Sequence, residues 1–380
     1  VGGDDPYDGK NTVNTRQITN VAAGTTLTDA VNVAQLQAAV ASIPSLHFLS
    51  VQGKTTDGNY NNDGASGLNA IAIGANAVAK GSHAIAEGYA ANAAGLSSLA
   101  IGDNAQAAGA NGVALGRNSY ASPFGDAVAI GANANARNVQ SIAIGGQSIA
   151  SDSGSMAIGT GANAFNAQDL AIGNTAKAEG GRSVAIGYQA TSKGESGVAL
   201  GRDALSNGAY GVAIGYQAQT VFSGGVALGY RAKANLYGIA QGVEANADRY
   251  AVAIGHQTKA SQHSVAQGNG ANAAGYGSLA LGSNALATQD YALASGYEAQ
   301  ALGGNSIATG YQAQAQAAYS IAQGHQAQAQ ASYSIAEGYQ AQAIGVLSHA
   351  SGYQAQASGQ GAIADGYQAN AFGTDAIALG

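Results

Sequence analysis

The chain has 380 residues, of which only 9% are charged, and it contains neither cysteine nor tryptophan. Its net charge of −7, with 14 lysines and arginines, leaves no basic stripe for phosphates, so nucleic acid is not an expected partner. The lack of cysteine excludes a disulfide scaffold and thiolate metal sites, and no stretch is apolar enough to predict a membrane span.

The first 69 residues lack the pattern that fills the rest of the chain, and we divide them into three parts. Residues 1–13 form an N-terminal extension, residues 14–43 a short segment with a helix, and residues 44–69 a turn-rich connector. Apolar residues spaced by three, four and three positions predict the seam of a coiled coil, at Val33, Leu36, Val40 and Ile43. Thr28 or Asp29 is the expected N-cap, and Pro44 the expected end of the helix. Two heptads are marginal alone, which indicates association of several chains.

From residue 70 to residue 380 a short motif repeats with little variation. Ile71, Ala72, Ile73 and Gly74 form the first of 23 copies, nearly all spaced by 14 residues, and the last copy ends at Gly380. A fixed short period predicts a stack of similar units. Within one unit, two alternating stretches are separated by glycine-containing turns, which predicts two short strands per coil of a parallel β-solenoid. A helix is not expected, because a regularly repeated glycine costs about 1 kcal/mol at each position.

The motif also predicts which side chains face inward. Its central alanine suits a thin interior, while the two branched residues around it share the opposite face. Representative branched residues are Ile71, Ile73, Ile142, Ile144, Val184 and Ile186. One chain has no other apolar layer to cover them, so we expect an obligate oligomer that buries these residues between its copies.

Some motif positions on that face are polar instead of aliphatic. They include Glu87, Gln241, Gln267, Thr309, Gln323, Glu337, His349 and Asp365. If the face meets an oligomer axis, these residues form polar rings that hold either ions or only water. Three copies of His349 could bind a metal or respond to pH, or the histidine could be purely structural. The sequence places no second His, Asp or Glu near it at metal-ligand spacing.

An aromatic residue follows the motif glycine in five successive coils near the C-terminus, and each is followed by glutamine. These residues are Tyr311, His325, Tyr339, Tyr353 and Tyr367. Stacked one per coil, they would form an aromatic–glutamine ladder. Aromatic rings with a polar tip are favoured at binding interfaces, so the ladder is a candidate ligand surface. The alternative is that the rings pack over the turn or against a neighbouring chain.

No pattern in the chain predicts catalysis, and we expect no catalytic, cofactor or metal site. Gly53, Lys54 and Thr55 match the end of a P-loop, but Phe48 stands where that loop needs a glycine. Calcium-binding nonapeptide repeats are also missing.

Two of these segments together resemble the trimeric autotransporter adhesins, the YadA-like bacterial surface fibres. The sequences SIAIG at 141–145 and SVAIG at 183–187 are similar to the family's head repeat, and residues 16–24 and 29–36 to its neck. The resemblance implies a left-handed parallel β-roll that packs as a homotrimer, with Ile18, Val21, Val33 and Leu36 in the neck. It also implies a location on the outer membrane, with the anchor in a C-terminal region outside this sequence. Here the neck precedes the head, which suggests an internal segment of a longer fibre.

The predicted function is therefore a stiff adhesive segment that binds matrix proteins, host cells or abiotic surfaces and spaces other parts of the fibre. A segment that only spaces is one alternative. A trimeric left-handed β-helix acyltransferase is another, but its hexapeptide repeat gives about 18 residues per coil.

Overall fold

The computed structural model describes residues 18–42 and 52–380, and the chain divides into two compact units between Gln52 and Gly53. In the first unit, the one helix of the described residues spans Val33–Ser42. The second unit contains only strands and turns. The expected positions of Ile43 and Pro44 at the end of the helix lie outside the described residues.

Each motif copy forms a three-residue strand, and together these strands make one sheet, here called the motif sheet. Its strands are Ile71–Ile73, Ile85–Glu87, Leu99–Ile101, Val113–Leu115, Val128–Ile130, Ile142–Ile144, Met156–Ile158, Leu170–Ile172, Val184–Ile186, Val198–Leu200, Val212–Ile214, Val226–Leu228, Ile239–Gln241, Val252–Ile254, Val265–Gln267, Leu279–Leu281, Leu293–Ser295, Ile307–Thr309, Ile321–Gln323, Ile335–Glu337, His349–Ser351, Ile363–Asp365 and Ile377–Leu379.

A two-residue strand follows each of the first 22 motif strands and forms the second sheet. Its strands are Val78–Ala79, Asn92–Ala93, Gln106–Ala107, Tyr120–Ala121, Asn135–Ala136, Ile149–Ala150, Asn163–Ala164, Lys177–Ala178, Thr191–Ser192, Leu205–Ser206, Gln219–Thr220, Lys233–Ala234, Asn246–Ala247, Lys259–Ala260, Asn272–Ala273, Leu286–Ala287, Gln300–Ala301, Gln314–Ala315, Gln328–Ala329, Gln342–Ala343, Gln356–Ala357 and Asn370–Ala371.

Every strand pairs in parallel with its equivalent in the next coil, so that identical positions stack. Ala143, for example, is in register with Ala157, and Ala136 is in register with Ala150. The structure thus has 22 complete coils of about 14 residues and a final motif strand, which confirms the predicted parallel β-solenoid.

The interior consists almost entirely of alanine methyl groups and small hydroxyls. In one coil, Ala84, Ala86, Ala91 and Ala93 are all completely buried. The four inward positions of most coils hold nothing larger, because the two sheets lie close together; the largest fully buried side chains are Thr220, Thr258 and Asp169. The prediction that alanine fills a thin interior is confirmed.

Each coil has two turns, and the first requires glycine. The motif glycine Gly145 has φ = 125°, and a Cβ placed there would lie 2.6 Å from the carbonyl oxygen of Gly159 in the next coil. No other residue fits this close approach of two backbones. Two residues later the chain enters the left-handed helical region, and it does so again in the second turn, as at Gln340 (φ = 54°) and Tyr333 (φ = 60°).

Coils of unusual length differ only in the second turn, which connects a strand of the second sheet to the next motif strand. Five residues (94–98) make this turn in an ordinary coil. The 15-residue coil uses six (122–127), and the first 13-residue coil uses four (235–238). The first turn keeps its length, because its glycines must stack on one another.

In the first unit, the helix begins differently from the prediction. Asn32 is the N-cap: its Oδ1 accepts a hydrogen bond from Gln35 N at 2.8 Å, and Gln35 Oε1 accepts one from Asn32 N at 3.3 Å. The expectation that Thr28 or Asp29 caps the helix is wrong. Asp29 instead closes a turn, since its Oδ2 accepts hydrogen bonds from Thr25 N and Thr26 N at 2.6 and 2.8 Å.

Candidate adhesive surface

The branched motif residues lie on the outer face of the motif sheet. Ile71 is exposed and the other five named in the sequence analysis are half-buried, namely Ile73, Ile142, Ile144, Val184 and Ile186. No layer of the described chain covers this face, which therefore forms an apolar stripe along the coils. A continuous exposed apolar stripe of this kind marks an interaction surface.

The polar motif residues interrupt the same stripe. Glu87 is exposed and stands in register between Ile73 and Ile101. Towards the C-terminus the polar positions become continuous over six coils, in the order Ser295, Thr309, Gln323, Glu337, Ser351 and Asp365. Gln241 and Gln267 are isolated, because Ile254 lies between them. Whether the stripe meets an oligomer axis stays a prediction.

The fold brings a carboxylate to His349, which the sequence analysis did not foresee. Glu337 lies in the preceding coil, and its Oε2 is 3.8 Å from His349 Nε2. Parallel pairing places the two residues diagonally on neighbouring strands. Within residues 18–42 and 52–380, however, no group of three or more His, Asp or Glu side chains could hold a metal ion.

The predicted aromatic ladder is present, and it begins one coil earlier, at Tyr297. Successive ring centroids from Tyr297 to Tyr367 are 5.3, 4.9, 4.8, 5.0 and 5.2 Å apart, and the ring planes are inclined by 5° to 11°. The rings stack face to face, so each covers the faces of its neighbours. Between the two end rings, Tyr297 and Tyr367, which have one stacked neighbour each, only ring edges and polar tips point to solvent.

A second ladder runs beside the first and consists of glutamine amides. Each amide nitrogen donates to the amide oxygen of the previous coil, at 2.9 to 3.1 Å, along Gln312, Gln326, Gln340, Gln354 and Gln368. The first amide donates instead to Glu298 Oε2, at 2.7 Å. All five bonds point in the same direction, and hydrogen bonds arranged in such a chain strengthen one another.

Glu298 ends the amide ladder with a charged acceptor. The hydrogen bond from Gln312, followed by one from Tyr297, lowers the pKa of Glu298 below its usual value. Conversely, the hydrogen bond to Glu298 and the negative charge of that residue raise the pKa of Tyr297. The carboxylate therefore stays ionised and the phenol protonated at neutral pH.

A groove of about 600 Å³ lies between this ladder and a third row of side chains on the second sheet. The intervening residues, such as Ala327 and Ala341, point into the core and are completely buried. The groove is lined by Glu298, Gln300, Gln312, Gln314, Gln326, Gln328, Gln340, Gln342, Gln354 and Gln356.

The structure contains further rows of aromatic residues that the sequence analysis did not predict. At the second turn, Tyr237, Tyr250, His263, Tyr276 and Tyr291 are neighbours with centroids 5.0 to 5.8 Å apart. Tyr319 and Tyr333 stack there at 4.9 Å. The sequence does contain a signal for the second-turn row. Aromatic residues recur once per coil, at a position about half a coil away from the motif glycine.

At the first turn, the guanidinium of Arg202 lies 5.4 Å from the ring of Tyr188 and 5.6 Å from that of Tyr216.

Charge is unevenly distributed along the coils. Arg231, Lys233 and Lys259 line one groove with Glu244. No lysine or arginine follows Lys259 in the sequence. The lining of the glutamine groove contains no lysine or arginine, and Glu298 is its one charged residue.

In the first unit, the predicted neck residues are accessible. Ile18, Val33 and Leu36 are 87%, 70% and 58% exposed, and Val21 is half-buried. Val21 O accepts a hydrogen bond from Asn32 Nδ2 at 3.2 Å, and Gln35 forms two hydrogen bonds of 2.8 Å with the backbone of Gly24. Across the parts that the structure describes, no helix has the length and apolarity to cross a membrane.

Together these features define a class of protein: a repetitive β-solenoid whose distinctive side chains form rows along its surface. Comparison with known families agrees. The family model described as the YadA head domain repeat, in two copies, matches residues 65–91, 93–119, 125–148, 136–162, 166–190, 192–218, 261–285, 287–313, 315–341 and 357–380. The coiled stalk of trimeric autotransporter adhesin matches residues 17–66. No individual curated protein matches the chain.

The matched segments cover more than half of the sequence, and the chain belongs to the trimeric autotransporter adhesins with YadA-like heads. Membership implies a homotrimeric, adhesive protein of the bacterial cell surface, anchored in the outer membrane. The stalk match covers residues 17–43 of the segment predicted as a neck.

Proposed function

We propose that this segment is a homotrimeric, non-catalytic adhesive rod that binds matrix proteins, host cells or abiotic surfaces and spaces other parts of the fibre. The observation that carries this proposal is the aromatic–glutamine surface formed by residues 297–368. It repeats the same polar and aromatic groups coil after coil, so a ligand can make many weak contacts at once. Repeated contacts raise the total affinity well above that of each one.

The trimer part of the proposal is supported by the apolar stripe on the motif sheet. A single chain exposes this stripe along its coils, and burying it stabilises the assembly by about 25 cal/mol per Å². Multi-angle light scattering of the purified chain should give three times the monomer mass at all concentrations where the protein is folded. A folded monomer would contradict the proposal.

The adhesive part is tested by exposing the purified protein to collagen, laminin, fibronectin, cultured cells, glass and polystyrene. Replacing Tyr339, Tyr353 and Tyr367 with serine should lower the amount bound to at least one of these surfaces. Tyr319→Ser with Tyr333→Ser is the matched control, because these rings stack at the other turn of neighbouring coils. Unchanged adhesion of the triple variant would remove the ladder as the ligand surface, and no binding anywhere would favour the spacer alternative.

A further inference from the structure

We propose that the glutamine groove binds an uncharged, extended polysaccharide, with its sugars lying along the rod. This inference rests on the proposed adhesive function and names the ligand class of its surface. It commits to chains of 1,4-linked pyranoses whose two linkage bonds are both equatorial.

The lining of the groove carries almost no charge. Ten residues line the groove, and Glu298 at one end is the only charged one. The sequence from residue 260 onwards has no lysine or arginine. Sulfated or carboxylated glycans need cationic side chains to offset the loss of hydration around their anionic groups, so the groove favours a neutral chain.

The glutamine amides retain unused hydrogen-bonding groups. A glutamine amide has two N–H donors and two acceptor lone pairs. In the ladder, Gln326 donates once to Gln312 and accepts once from Gln340. One donor and one lone pair therefore remain on each inner ladder amide. Gln314 and Gln328, on the facing wall, each accept one hydrogen bond from a glutamine of the same coil, at 3.2 and 3.1 Å. Their own N–H groups are left for a ligand with many hydroxyls.

The spacing of the coils also fits a chain of sugars. Equivalent groups on the groove wall repeat once per coil, and the adjoining rings are 4.8 to 5.3 Å apart. An extended peptide repeats every two residues, or about 6.6 Å, and falls out of register after one coil. A diequatorial 1,4-linked sugar chain advances by nearly the distance between coils for each sugar. Successive sugars in such a chain are turned over relative to each other, so its repeat is a disaccharide that spans about two coils, and every second sugar can meet an equivalent set of amides.

The stacking of the rings also determines which contacts hold the sugars. Proteins often bind sugars against an open aromatic face, but here Tyr339 has His325 on one side and Tyr353 on the other. The inner rings of the ladder can offer only their edges and polar tips. Hydrogen bonds from amides already fixed by the ladder are then the main contacts, and little side-chain freedom is lost on binding.

The test is isothermal titration calorimetry of the trimer with cellohexaose and chitohexaose. Both should bind, and tighter than their disaccharides, because the longer chains fill more coils. Isomaltohexaose has a different linkage, and a β-1,4-mannuronate hexamer adds carboxylates to the same linkage. Each should bind at least about tenfold more weakly, from the loss of several hydrogen bonds at about 1 kcal/mol each.

The critical variant replaces Gln314, Gln328 and Gln342 with leucine, which the same strand position already accommodates at Leu205 and Leu286. We expect at least about a tenfold loss of cellohexaose affinity. Gln106→Leu, at the same position of a distant coil, should leave it unchanged. Equal binding of the charged hexamer or of isomaltohexaose would overturn the inference. So would capture of a collagen-like peptide that the triple variant loses.

The outcome separates this inference from the proposed function. If no oligosaccharide binds but the trimer still adheres through Tyr339, Tyr353 and Tyr367, the ligand class is wrong and the adhesive role stands. If the tyrosine variant adheres normally while cellohexaose binds, the groove is a glycan site independent of the aromatic ladder.

Discussion

At the residue scale, the most constrained positions are those where the backbone conformation and a neighbouring backbone accept only glycine. The motif glycine lies where a Cβ would meet the next coil, whereas the glycine beside it can have open space. Gly145 and Gly146 show the contrast, since the nearest atom to a Cβ on Gly146 is 3.8 Å away, at Ala132 O. Glycine content alone therefore does not measure constraint, because only some of the glycines lie where a Cβ would overlap other atoms.

Gly145→Ala should lower the free energy of unfolding by about 1–3 kcal/mol, because alanine is strained at φ = 125° and its methyl group would overlap Gly159. Gly146→Ala, the adjacent control, should change it by less than about 1 kcal/mol. Denaturant-induced unfolding followed by circular dichroism measures both. Equal losses in the two variants would contradict the assignment of the strain to the motif position.

The turn before the helix contains a titratable group with a clear pH signature. Hydrogen bonds from the backbone of Thr25 and then Thr26 lower the pKa of Asp29 from 3.8 to about 2. Because the folded pKa lies below the unfolded one, the stabilisation by this carboxylate is complete above about pH 4 and is lost as the pH falls towards 2.

We therefore expect the amide signals of Thr25 and Thr26 to shift with a midpoint near pH 2 in an NMR titration. Asp29→Asn should abolish that titration. A midpoint near 3.8 would show that the carboxylate is not held by these two amides.

At the element scale, the ladders join coils that are distant in sequence but adjacent in space. The repeat predicted the solenoid, its parallel pairing and the alanine interior, because one period fixes every stacked pair. It also predicted the stacking of Tyr339 on Tyr353. It could not predict the contact between His349 and Glu337, which depends on a diagonal between strands. Asn32 was missed as the N-cap because Asp29 offered an equally good capping side chain three residues earlier.

An inner glutamine of the ladder should contribute more to stability than the last one, because it forms more ladder hydrogen bonds. Gln340→Leu removes two hydrogen bonds and leaves Gln326 Oε1 and Gln354 Nε2 without ladder partners. Gln368→Leu removes one. With about 1 kcal/mol per bond, the inner variant should lose about twice as much stability. Thermal or denaturant unfolding compares them, and equal losses would mean that the ladder hydrogen bonds do not contribute to stability.

At the scale of the whole molecule, the apolar stripe makes the fold depend on assembly. Ile142 and Ile144 lie on the outer face of the motif sheet, whereas Asn163 lies on the outer face of the second sheet. The two faces can therefore be tested separately for their part in the proposed trimer.

Ile142→Asp with Ile144→Asp should prevent trimer formation, because six carboxylates would then be buried in the assembly without partners. Asn163→Asp should leave the trimer intact. Light scattering coupled to size-exclusion chromatography gives the mass of each variant. A double variant that still forms a stable trimer would place the subunit interface elsewhere.

The parallel stacking of coils has a mechanical consequence. Tension applied along the rod loads the hydrogen bonds between successive coils in series, so coils would peel from an end one at a time. A 14-residue coil occupies about 4.8 Å of the rod but spans up to about 48 Å when its chain is drawn straight. Each detached coil would extend to roughly ten times the length that it had occupied in the rod, and its detachment would absorb work. A fibre built this way would yield under flow in small steps and keep its remaining coils attached.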